Sequence, residues 1–215
     1  MENFLQQLLN GLSLGGIYAL IALGYTMVYG VLKLINFAHG DLFTIGAYIG
    51  FTLLVSCGIS NLVGPFGAIV ILAATVMLLV AIIGVCLERT AYRPLRNSPR
   101  LSAVVSALGA SIFLQNAVML IYGARFHVYP QGLFTKSSIY VFGLYLPLVK
   151  VFVLAVSLAV MAFLYIFIQK TLTGAAIRAV ALDHNAARLV GINVDRVVTL
   201  VFVIGPALGG LAGLM

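Results

Sequence analysis

Long apolar runs with few or no charged residues dominate this sequence and limit the folds that it can adopt. A helix rises 1.5 Å per residue, so about 20 apolar residues cross the hydrocarbon core of a bilayer. A segment in lipid must satisfy its own backbone hydrogen bonds, which favours helices. The sequence therefore predicts an all-α, polytopic integral membrane helical bundle with about six transmembrane runs. The apolar runs cover residues 8–31, 42–57, 62–87, 101–123, 148–168 and 199–215.

The composition supports the same conclusion. Of the 215 residues, 63% are hydrophobic and 8% are charged, whereas soluble domains carry about 25% charged residues. A soluble surface cannot be built from so few charges, which excludes a soluble enzyme. No Lys or Arg precedes the first apolar run, which argues against a cleaved signal peptide, so we expect the first span to stay in the mature protein.

The basic residues indicate how the chain crosses the membrane. The net charge is +7, and most of the positive charge lies in two segments, 88–100 and 169–198. Two spans separate these segments, so both must face the same side, and their charge predicts that this side is cytoplasmic. The segment 124–147 is then extracytoplasmic and the N-terminus lies outside. Because the charge is explained as a topology signal, we expect no nucleic-acid partner.

Two shorter patterns concern the second half of the chain. Alternating residues at 138–141 predict a small extracytoplasmic hairpin. The last run, 199–215, ends without a charged or interfacial anchor, so we expect further spans beyond it in a longer protein. Several Gly and Pro residues near its end lead us to expect no regular terminal helix.

A polar segment, 33–41, separates the first two apolar runs and brings Asn36, His39 and Asp41 together. Ionisable residues inside a membrane usually serve function. Together with Gly40 they favour an interrupted helix, whose unpaired backbone groups would face a solute path. The alternative is a tight cytoplasmic turn in which Asp41 stabilises the start of the next helix. The residues alone leave both interpretations open.

Several kinds of chemistry are not expected from this chain. It has no G-x-x-x-x-G-K-[ST] motif, so it cannot hold ATP phosphates in the usual way. His39, His127 and His184 are far apart, and no Cys and His residues have metal-ligand spacing, so we expect no metal site. No Ser, His and carboxylate grouping suggests a hydrolase, and we therefore expect no catalytic residue and no cofactor.

The stretch 11–48 carries the most specific signal in the sequence. Its blocks GYTMVYG at 24–30 and INFAHGD at 35–41 resemble the amino-terminal signature of bacterial branched-chain amino acid transport permeases of the ATP-binding cassette class. Permeases for urea and short amides look similar in this region, so the transported substrate stays open between these classes.

The resemblance implies a single transmembrane permease domain over 1–215 in the bacterial cytoplasmic (inner) membrane, surrounded by lipid. It also implies a second permease subunit, two ATP-binding subunits that bind and hydrolyse the ATP, and a soluble substrate-binding protein. The resemblance places the substrate pathway near the polar segment. The residues expected along the pathway are Tyr18, Tyr25, Tyr29, Asn36, His39, Gly40 and Asp41. The tyrosines can alternatively serve as packing residues or interfacial anchors.

The segment 171–197 predicts two short helices flanking Asp183 and His184, with Gly191 as a stop. It resembles the cytoplasmic coupling loop that docks into the ATPase subunit in this family, although it departs from the acidic-Ala-Ala consensus of the wider class. The alternative is an ordinary amphipathic surface loop. The residues expected to act in coupling are Gly174, Arg178, Ala179, Ala181, Asp183, Ala186 and Gly191.

A function from a different class is also compatible with the composition. A stand-alone passive channel for a small neutral solute could be formed by a helical pore with few charges. Such a channel would not need a segment that docks an ATPase.

Overall fold

The computed structural model of the chain describes residues 2–57, 60–96, 98–125, 127–129, 138–141 and 144–215. Nearly all of them are helical, and five of the helices in this part of the chain are long and apolar enough to cross a membrane. The prediction of a multi-pass helical bundle is therefore confirmed. The helices are α1 Glu2–Leu32, α2 His39–Cys57, α3 Ser60–Leu87, α4 Arg100–Tyr122, α5 Leu148–Lys170, α6 Leu172–Leu182, α7 His184–Leu189 and α8 Val194–Leu214.

A small hairpin is the exception to the helical fold. Strand β1, Ser138–Val141, pairs antiparallel with β2, Leu144–Pro147, in a register that places Ile139 opposite Leu146. This confirms the hairpin predicted at 138–141. Other parts of the predicted segment 124–147, namely 126, 130–137 and 142–143, lie outside the described residues.

Helix α8 lies at the centre of the bundle and contacts α1, α2 and α3. Its apolar stretch is 67% buried, compared with 11% for α4. The prediction that this run would not form a regular helix is wrong, because α8 continues through Pro206 to Leu214. Small residues allow the backbones to approach closely. A Cβ on Gly24 would lie 2.7 Å from the carbonyl oxygen of Gly205, so the local cost of glycine is offset by packing.

The end of α3 does not open directly into a loop. A π turn, Glu88–Tyr92, and a 3-10 turn, Arg93–Leu95, continue the helical path. The side chain of Glu88 is completely buried and pairs with Arg96, which also pairs with Asp195 at the start of α8. The basic segment 88–100 therefore begins as packed helical turns.

The two ends of the bundle are defined by contacts between distant segments. At one end, the Arg96–Asp195 pair joins the two basic segments. At the other end, the Lys150 ammonium donates to Asn10 at 2.6 Å and the Tyr129 hydroxyl donates to the Ala47 carbonyl at 2.6 Å. The two basic segments thus share one end, as the parity of the spans requires. Which side of the membrane that end faces stays a prediction.

Impermeant thiol labelling tests this orientation. Leu189 is 89% exposed at the basic end and Val128 is 76% exposed at the other end. With single cysteines at these positions in a chain lacking Cys57 and Cys86, we expect an impermeant maleimide to label position 128 in intact cells. Position 189 should react only after the cells are opened. The reverse pattern would show that the topology is inverted.

Candidate functional site

The chain leaves the helical conformation between α1 and α2, at residues 33–38. Lys33 adopts a left-handed conformation with φ of 55°, and helical bonding resumes where the Leu42 amide donates to the Ala38 carbonyl. The predicted interruption is therefore present. Gly40 and Asp41, however, lie in the first turn of α2 beyond it, so they follow the break and do not form it.

The start of α2 lies deep in the bundle. Ser111, halfway along α4 between Arg100 and Tyr122, donates a hydrogen bond to the Asp41 carboxyl group at 2.5 Å. Asp41 therefore lies near the middle of a spanning helix. The break itself is only partly buried: Asn36 and Ala38 are buried, whereas Lys33, Ile35 and Phe37 are exposed. The segment is therefore not a fully solvated turn, although Asp41 does lie in the first turn of the next helix.

Two buried polar side chains lie in the break and directly after it. Asn36 and His39 are each 2% exposed. The Tyr92 hydroxyl donates to Asn36 Oδ1 at 2.7 Å, and His39 Nε2 lies 3.2 Å from the Ile21 carbonyl oxygen. Because a carbonyl can only accept, Nε2 of His39 must carry the proton. Among the residues that the structure describes, Asn36 Nδ2 and His39 Nδ1 have no hydrogen-bond partner, so the site holds an unused donor and an unused nitrogen.

The first cavity, of about 540 Å³, lies between α1 and the break. Asn36 and His39 contribute polar groups to its lining, whereas Ile21, Ile35 and Phe37 are apolar. Tyr29 is not among the lining residues and is 48% exposed. Five of the seven residues expected along the pathway line this cavity: Tyr18, Tyr25, Asn36, His39 and Gly40.

Asp41 lines a second cavity, of about 410 Å³, between α2 and α4. The structure thus separates Asp41 from the other pathway residues. Sequence reasoning missed Ser111 and Gln115, which contribute to the polar side of this region. A Ser and a Gln four residues apart in an otherwise apolar run share one helix face, and this spacing could have identified them.

The segment 171–197 forms the two short helices that the sequence predicts. Thr171 caps α6 by accepting from the Gly174 amide at 3.0 Å, and Asp183 caps α7. Hydrogen bonds from the backbone amides of Ala186 and Asn185 hold the pKa of Asp183 below its usual range. Gly191 has a φ of 84°, a left-handed conformation that residues with a side chain rarely adopt. Its position just after α7 predicts this conformation.

The residues expected to act in coupling divide between two faces of this segment. Gly174, Arg178, Ala179 and Ala181 are buried or partly buried, and Arg178 donates to the Ile168 carbonyl. Asp183, Ala186 and Gly191 are exposed. Beside them lie apolar side chains that sequence reasoning missed. Leu172, Leu182, Leu189 and Val190 are 75–91% exposed, with Leu172 the most exposed.

His184, in the segment 171–197, lies within electrostatic reach of charged residues from other segments. Burial lowers the pKa of His184, and the positive charges of Arg188, Arg96 and Lys33 lower it further, while Asp183 opposes them. The imidazole is therefore held towards its neutral form among cationic neighbours from the break and from the segment 88–100.

Spanning helices, an interrupted helix beside a cavity and exposed short helices at one end define a multi-pass membrane protein of the transporter type. The chain belongs to the family described as branched-chain amino acid transport system / permease component, whose match covers residues 7–215. It is a multi-pass inner-membrane protein. No solved structure gives a significant match.

Curated relatives agree with this family. The high-affinity branched-chain amino acid transport system permease protein LivH of Salmonella typhimurium is 42% identical over 223 residues, covering 99% of this chain and 70% of LivH. The LivH protein of Escherichia coli K12 has the same identity and coverage. BraD of Pseudomonas aeruginosa, a permease protein of the same description, is 42% identical over 219 residues, again covering 99% of this chain and 70% of BraD.

Proposed function

We propose that this chain is a permease subunit of an ATP-driven importer that moves branched-chain amino acids across the inner membrane. The observation that carries this proposal is the similarity over nearly the whole chain to permease proteins named for this transport. The chain itself needs no cofactor in this proposal. A second permease subunit completes the path, two ATP-binding subunits bind and hydrolyse ATP, and a soluble protein delivers the substrate.

The interrupted helix supports a substrate path at the start of α2. The first cavity combines apolar lining with the polar side chains of Asn36 and His39. Ligand sites for small molecules usually combine an apolar wall with a few placed polar groups. The unpaired nitrogens of these two side chains are costly in a buried place. In this proposal they gain partners when substrate, or a second conformation of the break, reaches them.

The short helices α6 and α7 support a docking role for the segment 169–198. Leu172, Leu182 and Leu189 are almost fully exposed, although they lie at the basic end of the bundle and not in a predicted span. Exposed apolar residues in such a patch are typical of protein interaction sites. In this proposal they enter the groove of an ATP-binding subunit, and Asp183 and Gly191 fix the geometry of α7 and its exit.

Uptake by the reconstituted complex tests the proposal. We expect ATP-dependent accumulation of labelled leucine, isoleucine and valine in proteoliposomes that also receive the binding protein. Unlabelled valine should compete, whereas urea and acetamide should not. Accumulation of urea or acetamide instead would assign the chain to the amide permeases. Equal flux with and without ATP would indicate a passive channel.

A further inference from the structure

The carboxyl group of Asp41 lies near the middle of α4 and forms no ion pair with the residues that the structure describes. The side chain is 9% exposed, and no basic group pairs with it in the part of the chain that the structure describes. A carboxylate in such a place is costly unless a cation or several hydrogen bonds compensate it. The site is therefore incomplete as it stands.

The hydrogen bonds around Ser111 show how this carboxyl group is used. The Gln115 amide donates to Ser111 Oγ at 3.2 Å, and Ser111 donates its single hydroxyl proton to Asp41 Oδ2 at 2.5 Å. Asp41 Oδ2 is thus an acceptor in an oriented chain of hydrogen bonds. This arrangement leaves the carboxyl group able to accept from a further donor.

The cavity beside Asp41 has the size and lining of a small-ligand site. Its volume of about 410 Å³ falls within the range of roughly 300–1,000 Å³ found for such sites. Asp41, Thr44 and Gln115 form a polar side, Leu114 and Val118 belong to an apolar side on α4, and Arg125 also lines the cavity. Arg125 has no ion pair with Asp41 in the part of the chain that the structure describes. A ligand that carries a cationic group next to a short branched alkyl group would match both sides.

We propose that the cavity between α2 and α4 binds the ammonium group of the transported amino acid, with Asp41 as its counter-charge. The alkyl side chain then packs against the apolar side of α4. This inference rests on the proposed function, because it assigns one end of the proposed substrate to one side chain. It also gives Ser111 and Gln115 a positioning role, since they orient the carboxyl group and do not themselves need to contact the substrate.

Charge-selective thiol labelling of the assembled transporter tests the electrostatic part. Thr44 lies three residues after Asp41 on the same face of α2 and lines the cavity. For a single cysteine at position 44, we expect a cationic trimethylammonium-ethyl methanethiosulfonate to react about tenfold faster than an anionic sulfonatoethyl one, relative to their intrinsic rates. Asp41→Asn should remove this preference for the cationic reagent, since Arg125 is then the charged residue of the lining.

A cysteine at position 26 is the matched control. Thr26 is an exposed threonine on α1 that lines the first cavity, so its charge preference should not respond to Asp41→Asn. An unchanged ratio at position 44, or a cavity closed to both reagents, overturns the proposal.

Ligand protection tests the assignment of the ammonium group. Leucine should slow labelling at position 44, whereas 4-methylpentanoate, which lacks the ammonium group, should not. Asp41→Asn should abolish the protection and lower leucine uptake at least tenfold, while Asp41→Glu should retain part of both. If the parent complex takes up no branched-chain amino acid, the proposed function fails. If it does so and Asp41→Asn leaves protection and uptake unchanged, only this inference fails.

Discussion

Replacing Arg96 with alanine is expected to destabilise the bundle by about 3–5 kcal/mol, because it leaves a buried carboxylate without its counter-charge. Glu88 is 0% exposed, and its charged partner is Arg96. The hydroxyl of Thr199, 3.4 Å from Glu88 Oε2, is too distant to replace a guanidinium. The substitution also removes the pair with Asp195, which joins the end of α3 to α8.

The thermal unfolding temperature of the detergent-solubilised protein measures this effect. A loss of this size should lower the midpoint by about 10 °C. Arg93→Ala is the matched control, since Arg93 is an exposed arginine of the same basic segment, and it should have little effect. The double variant Glu88→Gln with Arg96→Ala should recover part of the loss, because it leaves no buried unpaired charge. Equal midpoints for the two arginine variants would contradict the interpretation.

Reversing the charge at Asp183 is expected to abolish substrate uptake while the protein still inserts in the membrane. Asp183 is exposed and accepts from the Asn185 amide at 2.7 Å and from the Ala186 amide at 3.1 Å. Asp183→Arg removes this cap, at a cost of about 1 kcal/mol. It also adds a positive charge to a stretch that already carries Arg178 and Arg188. A partner groove would then meet a cation where it would otherwise meet an acidic side chain.

Three companion variants separate docking from folding of the segment. Asp183→Asn preserves the cap, because asparagine accepts the same hydrogen bonds, and should retain most of the uptake. Gly191→Val forces a β-branched side chain into a φ of 84°, at a cost of about 1–2 kcal/mol, and should abolish uptake as well. Gly191→Asn tolerates this conformation better and should be milder.

The readouts are leucine uptake and stimulation of ATPase activity in the reconstituted complex. Asp183→Arg and Gly191→Val should lose both, while the binding protein still binds leucine. If these variants assemble with the ATP-binding subunits and transport at the parent rate, the segment 169–198 is not the coupling element.

Much of the architecture follows from local patterns in the sequence. Run length and the scarcity of charge predict the spanning helices, because a lipid environment leaves few alternatives to a helix. Residue alternation predicts β1, and the two short helices around Asp183 follow from a capping residue and a glycine placed at helix ends. Gly191 was expected to be left-handed for a steric reason that needs no knowledge of its neighbours.

The depth and the partners of the polar residues were decided only by the tertiary structure. A sequence shows that Asn36, His39 and Asp41 are close along the chain, but not that successive residues at the start of α2 line different cavities. The sequence also does not show that Tyr29 lies outside both cavities. It does not show that Glu88 is completely buried and paired with Arg96.

The physical reason is that these properties depend on contacts between distant segments. Local propensity disfavoured a regular helix near the end of the last run, yet α8 is helical because its glycines let α1, α2 and α3 approach closely. The sequence by itself determined that this chain crosses a membrane and which family it resembles. The packing of α2 against α4, and of α3 against α8, determined where its few charges lie and which of them face a cavity.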